Sequence, residues 1–193
     1  MAETQITATA PLDGVQPLRG KGIALAPQPF MARLTLRGDG NDPVFARAAA
    51  RVLGVELPRI PCRFSGTGIQ AHWAGPDEWA VEAPADAATG GAALAAKLET
   101  ALDGLHAQVV DVSDYYTGIR LSGPHARDVI AAGSPLDVHP QIFQPGHCAG
   151  TRHGHVAIFL ARRDGEDIYD LRVRWSFADY LWRQLATAAR EFL

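Results

Sequence analysis

The stretch Met31–Gly54, MARLTLRGDGNDPVFARAAARVLG, opens with alternating apolar and polar residues and continues with the apolar spacing of a helix. Alternation of this kind predicts a strand with one buried face. Asp42 followed by Pro43 is typical of the first turn of a helix, and Gly54 can adopt the left-handed conformation that ends many helices. The stretch therefore predicts a strand followed directly by a helix.

The same order of elements recurs in the second half of the chain. Thr117–Gly133, TGIRLSGPHARDVIAAG, again predicts a strand and then a helix, which Pro124 opens. In each half a hairpin and a second helix follow, and the hairpins turn at Gly75–Asp77 and at Asp164–Gly165. Each half thus has the pattern β-α-β-β-α, and the sequence predicts an α+β fold made of tandem-duplicated ferredoxin-like halves.

The expected domain organisation follows from this repeat. Residues 1–30 are rich in proline and glycine without a regular period, which predicts an irregular leader that packs on its own domain or on a partner. Residues 31–193 are expected to form a single duplicated α+β domain, with halves at about 31–114 and 115–193. Two independent domains joined near Asp114 remain the alternative.

The charge and composition of the chain exclude some classes of binding partner. The chain has 193 residues and a formal net charge of -3, with no run of lysine or arginine, which argues against binding to nucleic acid or to anionic membranes. The start of the chain lacks the pattern of a secretory signal, and no apolar stretch approaches the length that spans a bilayer. With only Cys62 and Cys148, far apart in sequence, we expect a cytoplasmic protein without a disulfide framework.

One stretch is dense in metal-ligating residue types: PGHCAGTRHGHVAIFL, Pro145–Leu160. If Thr151–Ala161 forms one strand, His153 and His155 share a face at a spacing that zinc can use, and Cys148 could add a ligand. No second Cys/His pair occurs at ligand spacing, so metal binding is the weaker interpretation. The favoured one is a polar strand start, with Cys148 packed in the core.

Two arginines alternate with apolar residues on a strand near the C-terminus. Arg172 and Arg174 could meet an acidic ligand or a partner, or could lie on a solvated sheet face. Together with His153 and His155 they are the candidate partner contacts. The sequence contains no nucleotide-binding glycine motif, no Gly-x-Ser-x-Gly and no HExxH, so no catalytic set is predicted. A binding or assembly module is therefore expected.

Several phrases of the sequence together resemble a known family. They include LTLRG (34–38), LGVELP (53–58), GPDEW (75–79), VDVSD (110–114), IRLSGPHARDVIAAGSPLDVHP (119–140), PGHCAGT (145–151) and WSFADYLWRQLATAAREF (175–192). In this order they look like the gamma subunit of heterotetrameric sarcosine oxidase. That family is similar in fold to the folate-binding domain of the glycine-cleavage aminomethyltransferase, or T-protein. One departure is Trp175, where the family usually has arginine before Ser-Phe-Ala.

The resemblance implies a non-catalytic gamma subunit of a complex that oxidatively demethylates sarcosine to glycine. The one-carbon unit leaves as formaldehyde or as 5,10-methylenetetrahydrofolate, and oxygen becomes hydrogen peroxide. It also implies alpha, beta and delta partner subunits that carry the FAD, FMN, NAD, zinc and tetrahydrofolate, with no cofactor in this chain. A stand-alone folate-binding, aminomethyltransferase-like protein is the alternative that the shared fold leaves open.

Overall fold

The computed structural model describes residues 10–85 and 90–193. Its strands are β1 (Leu18–Arg19), β2 (Ala24–Pro27), β3 (Met31–Arg37), β4 (Phe64–Ser65), β5 (Gln70–Gly75), β6 (Glu78–Pro84), β7 (Gln108–Asp111), β8 (Tyr116–Ser122), β9 (Cys148–His153), β10 (Val156–Arg162) and β11 (Ile168–Arg174). Its α-helices are α1 (Pro43–Leu53), α2 (Gly91–Ala101), α3 (Ala126–Ala131) and α4 (Ala178–Ala188). None of the helices in these two described ranges has both the length and the apolar character needed to cross a membrane.

The first half forms an antiparallel sheet in the order β4-β5-β6-β3-β7. The order β7-β3-β6-β5 is that of a ferredoxin-like β-α-β-β-α-β unit, so the predicted fold class is confirmed. Helices α1 and α2 cover one face of this sheet, where Phe45, Trp79 and Leu98 are buried. Helix α1 has the predicted ends: Val44 N donates to Asp42 Oδ1 at 2.8 Å, and Gly54 has a φ of 70°. The sequence predicts a second helix in this half over about Thr89–Leu102; its expected start at Thr89 lies outside the described residues, and α2 is described from Gly91.

The second half forms a sheet in the order β1-β2-β8-β11-β10-β9. Here β2, from the leader, lies beside β8 in the position that β7 occupies beside β3 in the first half. The described part of the leader packs on its own domain, and it departs from the expected irregular structure only at Leu18–Arg19 and Ala24–Pro27, which are strands. The reason is that Leu25, on β2, is fully buried in the second core and Ala24–Pro27 pairs with Ile119–Ser122. The second half completes its sheet with residues that precede the first half.

The expected single strand over Thr151–Ala161 is also wrong, because the chain turns back within it. Strand β9 ends at His153 and pairs antiparallel with β10, which begins at Val156. Gly154, with a φ of 57°, and His155 form the tight turn. The apolar run Val156–Ala161 begins only after this turn, so hydrophobicity did not mark the polar residues before the turn as a separate strand. Strand β4 is the corresponding additional strand of the first half.

The two sheets face each other through their helix-free faces. Leu34 and Val81 of the first sheet, and Leu171 and Val173 of the second, point to the helices and are buried there. Alternation along each strand turns the intervening side chains to the space between the sheets. Those side chains are mainly polar, charged or aromatic, and they form the candidate site.

Candidate functional site

A row of aromatic rings and guanidinium groups runs through the space between the sheets. The Arg172 guanidinium lies between two rings, with its Cζ 4.6 Å from the centroid of Phe159 and 5.0 Å from that of Tyr116. The rings of Tyr116 and Tyr115 meet edge to face at 4.8 Å, and Arg174 Cζ lies 5.1 Å from the Tyr115 centroid. We call Phe159, Arg172, Tyr116, Tyr115 and Arg174 the arginine–aromatic ladder. Each contact is a cation–π or aromatic pair within the range that stabilises proteins.

The inner end of the ladder is anchored by one carboxylate, that of Glu82 on β6. Its Oε1 lies 3.3 Å from Arg33 Nε and 3.4 Å from Arg172 Nη1, and Arg33 Nη1 donates to the Tyr116 carbonyl at 3.0 Å. Burial alone would raise the pKa of Glu82, but the two guanidiniums outweigh it and lower the pKa to about 2. Glu82 is therefore ionised near pH 7, and it links the two sheets.

His72, on β5, packs against the same inner end. Its ring stacks on Phe64 at 4.9 Å and meets Phe159 edge-on at 5.8 Å, while Nε2 lies 3.3 Å from Gln70 Oε1. Burial is the main cause that lowers the pKa of His72, to about 4. The positive charge of Arg172 also lowers this pKa, whereas the negative charge of Glu82 raises it. The imidazole is thus neutral near pH 7 and serves as an aromatic wall of the ladder.

A cleft of 330 Å³ opens beside the ladder, between the leader and the two sheets. Arg120, on its wall, donates to both carboxylate oxygens of Asp170 at 2.7 and 2.8 Å, and Arg163 lies 3.6 Å from the same group. The Gln70 side chain also lines the cleft, and its buried Nε2 has no hydrogen-bond partner among the described residues. The two arginines of this wall therefore share the single carboxylate of Asp170 within the chain.

The predicted metal candidates do not converge. Cys148 and His153 lie at opposite ends of β9, about 16 Å apart for a strand of this length. His153 is buried with its Nε2 3.3 Å from the Val129 carbonyl, whereas His155 is exposed in the turn, so the two histidines do not share a face. Across residues 10–85 and 90–193, no group of three or more His, Cys, Asp or Glu side chains could hold a metal ion.

Cys148 is a buried thiol, as the favoured interpretation of the sequence had it. Its Sγ lies 3.2 Å from the Arg63 carbonyl oxygen, and burial raises the pKa of the thiol to about 12. The backbone N of Cys148 donates to the Cys62 carbonyl at 2.9 Å, so the two cysteines are spatial neighbours despite their distance in sequence. Both are free, and Cys62 is exposed.

The predicted partner contacts have different environments. Arg172 is not on an accessible face, because its side chain is only 12% exposed between Phe159, Tyr116 and Glu82; the sequence expectation is wrong for it. His153 is likewise buried, whereas Arg174 and His155 are exposed.

Sequence reasoning missed Glu82 and Arg33, which lie on strands whose pattern gives no sign of a second sheet above them. Two kinds of signal for the ladder are visible in the sequence: the alternation that sets Arg172 and Arg174 on one face of a strand, and the adjacent Tyr115 and Tyr116.

The chain has a duplicated α+β fold in which two ferredoxin-like sheets enclose a polar interior. Aminomethyltransferase T of the glycine cleavage system from Bartonella henselae has this fold: 88% of the chain superimposes on 46% of that protein with a TM-score of 0.63 at 16% identity. The chain itself belongs to the sarcosine oxidase gamma subunit family, whose model matches residues 37–191.

Individual relatives agree with this assignment. The sarcosine oxidase gamma subunit of Arthrobacter sp. is 33% identical over 147 residues, which is 75% of this chain and 70% of that protein. The gamma subunit of Corynebacterium sp. strain P-1 is 33% identical over 165 residues, or 84% and 78% of the two chains. A chain of the heterotetrameric sarcosine oxidase from Corynebacterium sp. U-96 superimposes with a TM-score of 0.84 at 26% identity, covering 96% of each chain.

Proposed function

We propose that this protein is the gamma subunit of a heterotetrameric sarcosine oxidase and assembles with alpha, beta and delta subunits. The complex oxidises sarcosine to glycine, releases formaldehyde or 5,10-methylenetetrahydrofolate, and reduces oxygen to hydrogen peroxide. The observation that carries this proposal is the superposition on a chain of the heterotetramer from Corynebacterium sp. U-96, which extends over 96% of both chains. Because the superposition covers nearly all of both chains, the two chains share one architecture along almost their whole length.

The role proposed for the chain within the complex is structural rather than catalytic. A nucleophile or general base needs an accessible group of suitable pKa beside a partner that activates it. The buried Cys148 has its thiol pKa raised to about 12, and His72 is enclosed by rings. Glu82 is held between Arg33 and Arg172. These placements support assembly as the contribution of this chain.

The cofactors of the complex are proposed to reside in the other subunits, which would hold FAD, FMN, NAD, zinc and tetrahydrofolate. Cys148, His153 and His155 lie too far apart to bind one zinc ion together, which supports a zinc site in another subunit. For the dinucleotides, the sequence offers no glycine fingerprint between a strand and a helix. The alternative of a stand-alone folate-binding aminomethyltransferase is not favoured, because the family match is to the gamma subunit and the T-protein likeness concerns the fold.

Co-expression tests the proposal directly. The chain would be produced with the alpha-, beta- and delta-type subunits of the same organism, with the affinity tag on one of those subunits. We expect the untagged chain to co-purify in equimolar amount with a flavin-containing complex that makes peroxide from sarcosine. The chain alone is expected to make none. Failure to co-purify would overturn the assembly proposal, and peroxide production by the isolated chain would overturn the non-catalytic role.

A further inference from the structure

The outer end of the arginine–aromatic ladder reaches the surface as a small exposed cluster. Tyr115 is 46% exposed and Phe177 is 43% exposed, although both are large aromatic side chains. Arg174, also exposed, stacks on Tyr115 and is paired in register with Tyr116. Phe177 lies three residues after Arg174, at the end of the 3-10 turn Trp175–Phe177. We call Tyr115, Arg174 and Phe177 the outer cluster.

Arg174 differs from the other arginines of the site in its charge balance. Arg172 forms an ion pair with Glu82, and Arg120 forms one with Asp170. None of the ion pairs among residues 10–85 and 90–193 involves Arg174. A guanidinium stacked on a ring keeps its in-plane N–H groups available to a carboxylate. The outer cluster therefore presents an uncompensated positive charge among aromatic side chains.

The inner part of the ladder holds the Tyr115 ring, on which Arg174 stacks, in place. Tyr115 is held by Tyr116, whose ring rests on Arg172, which in turn is fixed by Glu82 and Phe159. A surface that is already ordered loses less side-chain entropy when a partner docks. Exposed aromatic residues and arginine are also the types that protein interfaces enrich and that dominate their binding energy. The outer cluster thus combines ordered side chains, exposed aromatic surface and an unpaired positive charge.

We propose that the outer cluster is where another subunit of the sarcosine oxidase complex docks, through an acidic side chain that pairs with Arg174 and apolar side chains that cover Tyr115 and Phe177. The inference rests on the proposed function, since it takes the occupant from the complex to which the chain is assigned. The unpaired charge of Arg174 selects an acidic segment, and the flanking rings require that this segment also carries apolar groups. A second copy of this chain is the competing occupant.

The test uses the co-expressed complex with the tag on another subunit and compares variants of the untagged chain. Arg174→Glu reverses the charge and Tyr115→Ala removes the ring, and each is expected to lower recovery of the chain by about tenfold or more. Arg174→Lys keeps the charge and is expected to retain more binding than Arg174→Glu. The matched control is Arg183→Glu on α4, whose side chain is 76% exposed and pairs with Asp179.

The outcomes separate the two proposals. If the wild-type chain does not co-purify, the proposed function fails. If wild-type co-purifies and Arg174→Glu and Tyr115→Ala do so equally well, the docking site is wrong while the proposed function stands. If the isolated wild-type chain is a dimer, and Arg174→Glu makes it monomeric without affecting assembly, the occupant is a second copy and the proposal is overturned. Circular dichroism and thermal unfolding verify that each variant is folded. If Tyr115→Ala does not fold, the result for Arg174→Glu decides between these outcomes.

Discussion

Arg172 Nη1 lies 3.4 Å from Glu82 Oε1, although the two residues belong to different halves of the chain. Glu82 also accepts a hydrogen bond from Arg33 of its own half, at 3.3 Å. A single carboxylate therefore links β3, β6 and β11 across the space between the sheets. Because both cations are largely withdrawn from water, the stability of the sheet pair depends on this carboxylate more than on any surface ion pair.

Glu82→Gln is expected to lower the free energy of unfolding by about 3 kcal/mol, because removal of one partner leaves buried charge uncompensated. Arg33 and Arg172 then face each other without a counter-charge. Urea unfolding of the wild-type and variant chains at neutral pH measures the difference.

Glu78→Gln is the matched control on the same strand. The Glu78 side chain is 38% exposed and lies 3.6 Å from Arg37 at the surface. Surface ion pairs of this kind contribute little, so the change is expected to stay within about 0.5 kcal/mol. Equal unfolding midpoints for the two variants would show that Glu82 is not the link described above.

Leu25→Ala tests the contribution of the leader to the second half. Leu25 is fully buried on β2, so its truncation is expected to cost about 3 kcal/mol of unfolding free energy. Arg19→Ala, at an exposed position of β1, is the control and should leave stability near that of the wild type. Thermal or urea unfolding measures both. A Leu25→Ala chain as stable as Arg19→Ala would mean that the leader does not belong to this core.

The strand–helix repeat could be predicted because its signals are local. Asp42, Pro43 and Gly54 determine the ends of α1 whatever the rest of the chain does. Strand β2 could not be predicted, because Ala24–Pro27 is short, ends in proline, and joins the sheet through pairing with β8, far along the chain. Its conformation is determined by tertiary contacts rather than by its own residues.

The site was predicted only in part for a related reason. Alternation along β11 shows that Arg172 and Arg174 point away from the helices, and that is what the structure has. It does not show what lies above that face, so a second sheet over Arg172 and open surface at Arg174 were indistinguishable in sequence. The same gap explains why Glu82 was not recognised as the partner of a residue ninety positions away.

The stability of the chain should fall as the pH is lowered from about 6.5 to 4, and His72 should account for much of the loss. The pKa of His72 is about 4 in the folded chain and near 6.5 when unfolded, so in this window the unfolded state binds the proton and gains stability. The expected contribution approaches about 3 kcal/mol at the acidic end. Glu82, with its pKa near 2, adds a further loss only below about pH 4.5.

His72→Phe is the variant that isolates this effect, since a phenyl ring can keep the contacts with Phe64 and Phe159. We expect its unfolding free energy to change less between about pH 7 and pH 4 than that of the wild type. Burial also lowers the pKa of His153, which is present in both chains and cancels in the comparison. Parallel curves for wild type and variant would show that the pKa of His72 is the same in the folded and the unfolded chain.

The two cysteines should differ sharply in reactivity, although Cys148 N donates to the Cys62 carbonyl. Cys62 is exposed, whereas Cys148 is buried with its thiol pKa raised to about 12, which leaves roughly one molecule in ten thousand as thiolate at about pH 8. Labelling with a thiol reagent is therefore expected to modify one cysteine in the native chain and both in denaturant. Cys62→Ser should remove the native-state reaction, and Cys148→Ala should preserve it. A Cys62→Ser chain that labels as fast as the wild type would mean that Cys148 is accessible and that its environment is not the closed one between Arg63 and Trp73.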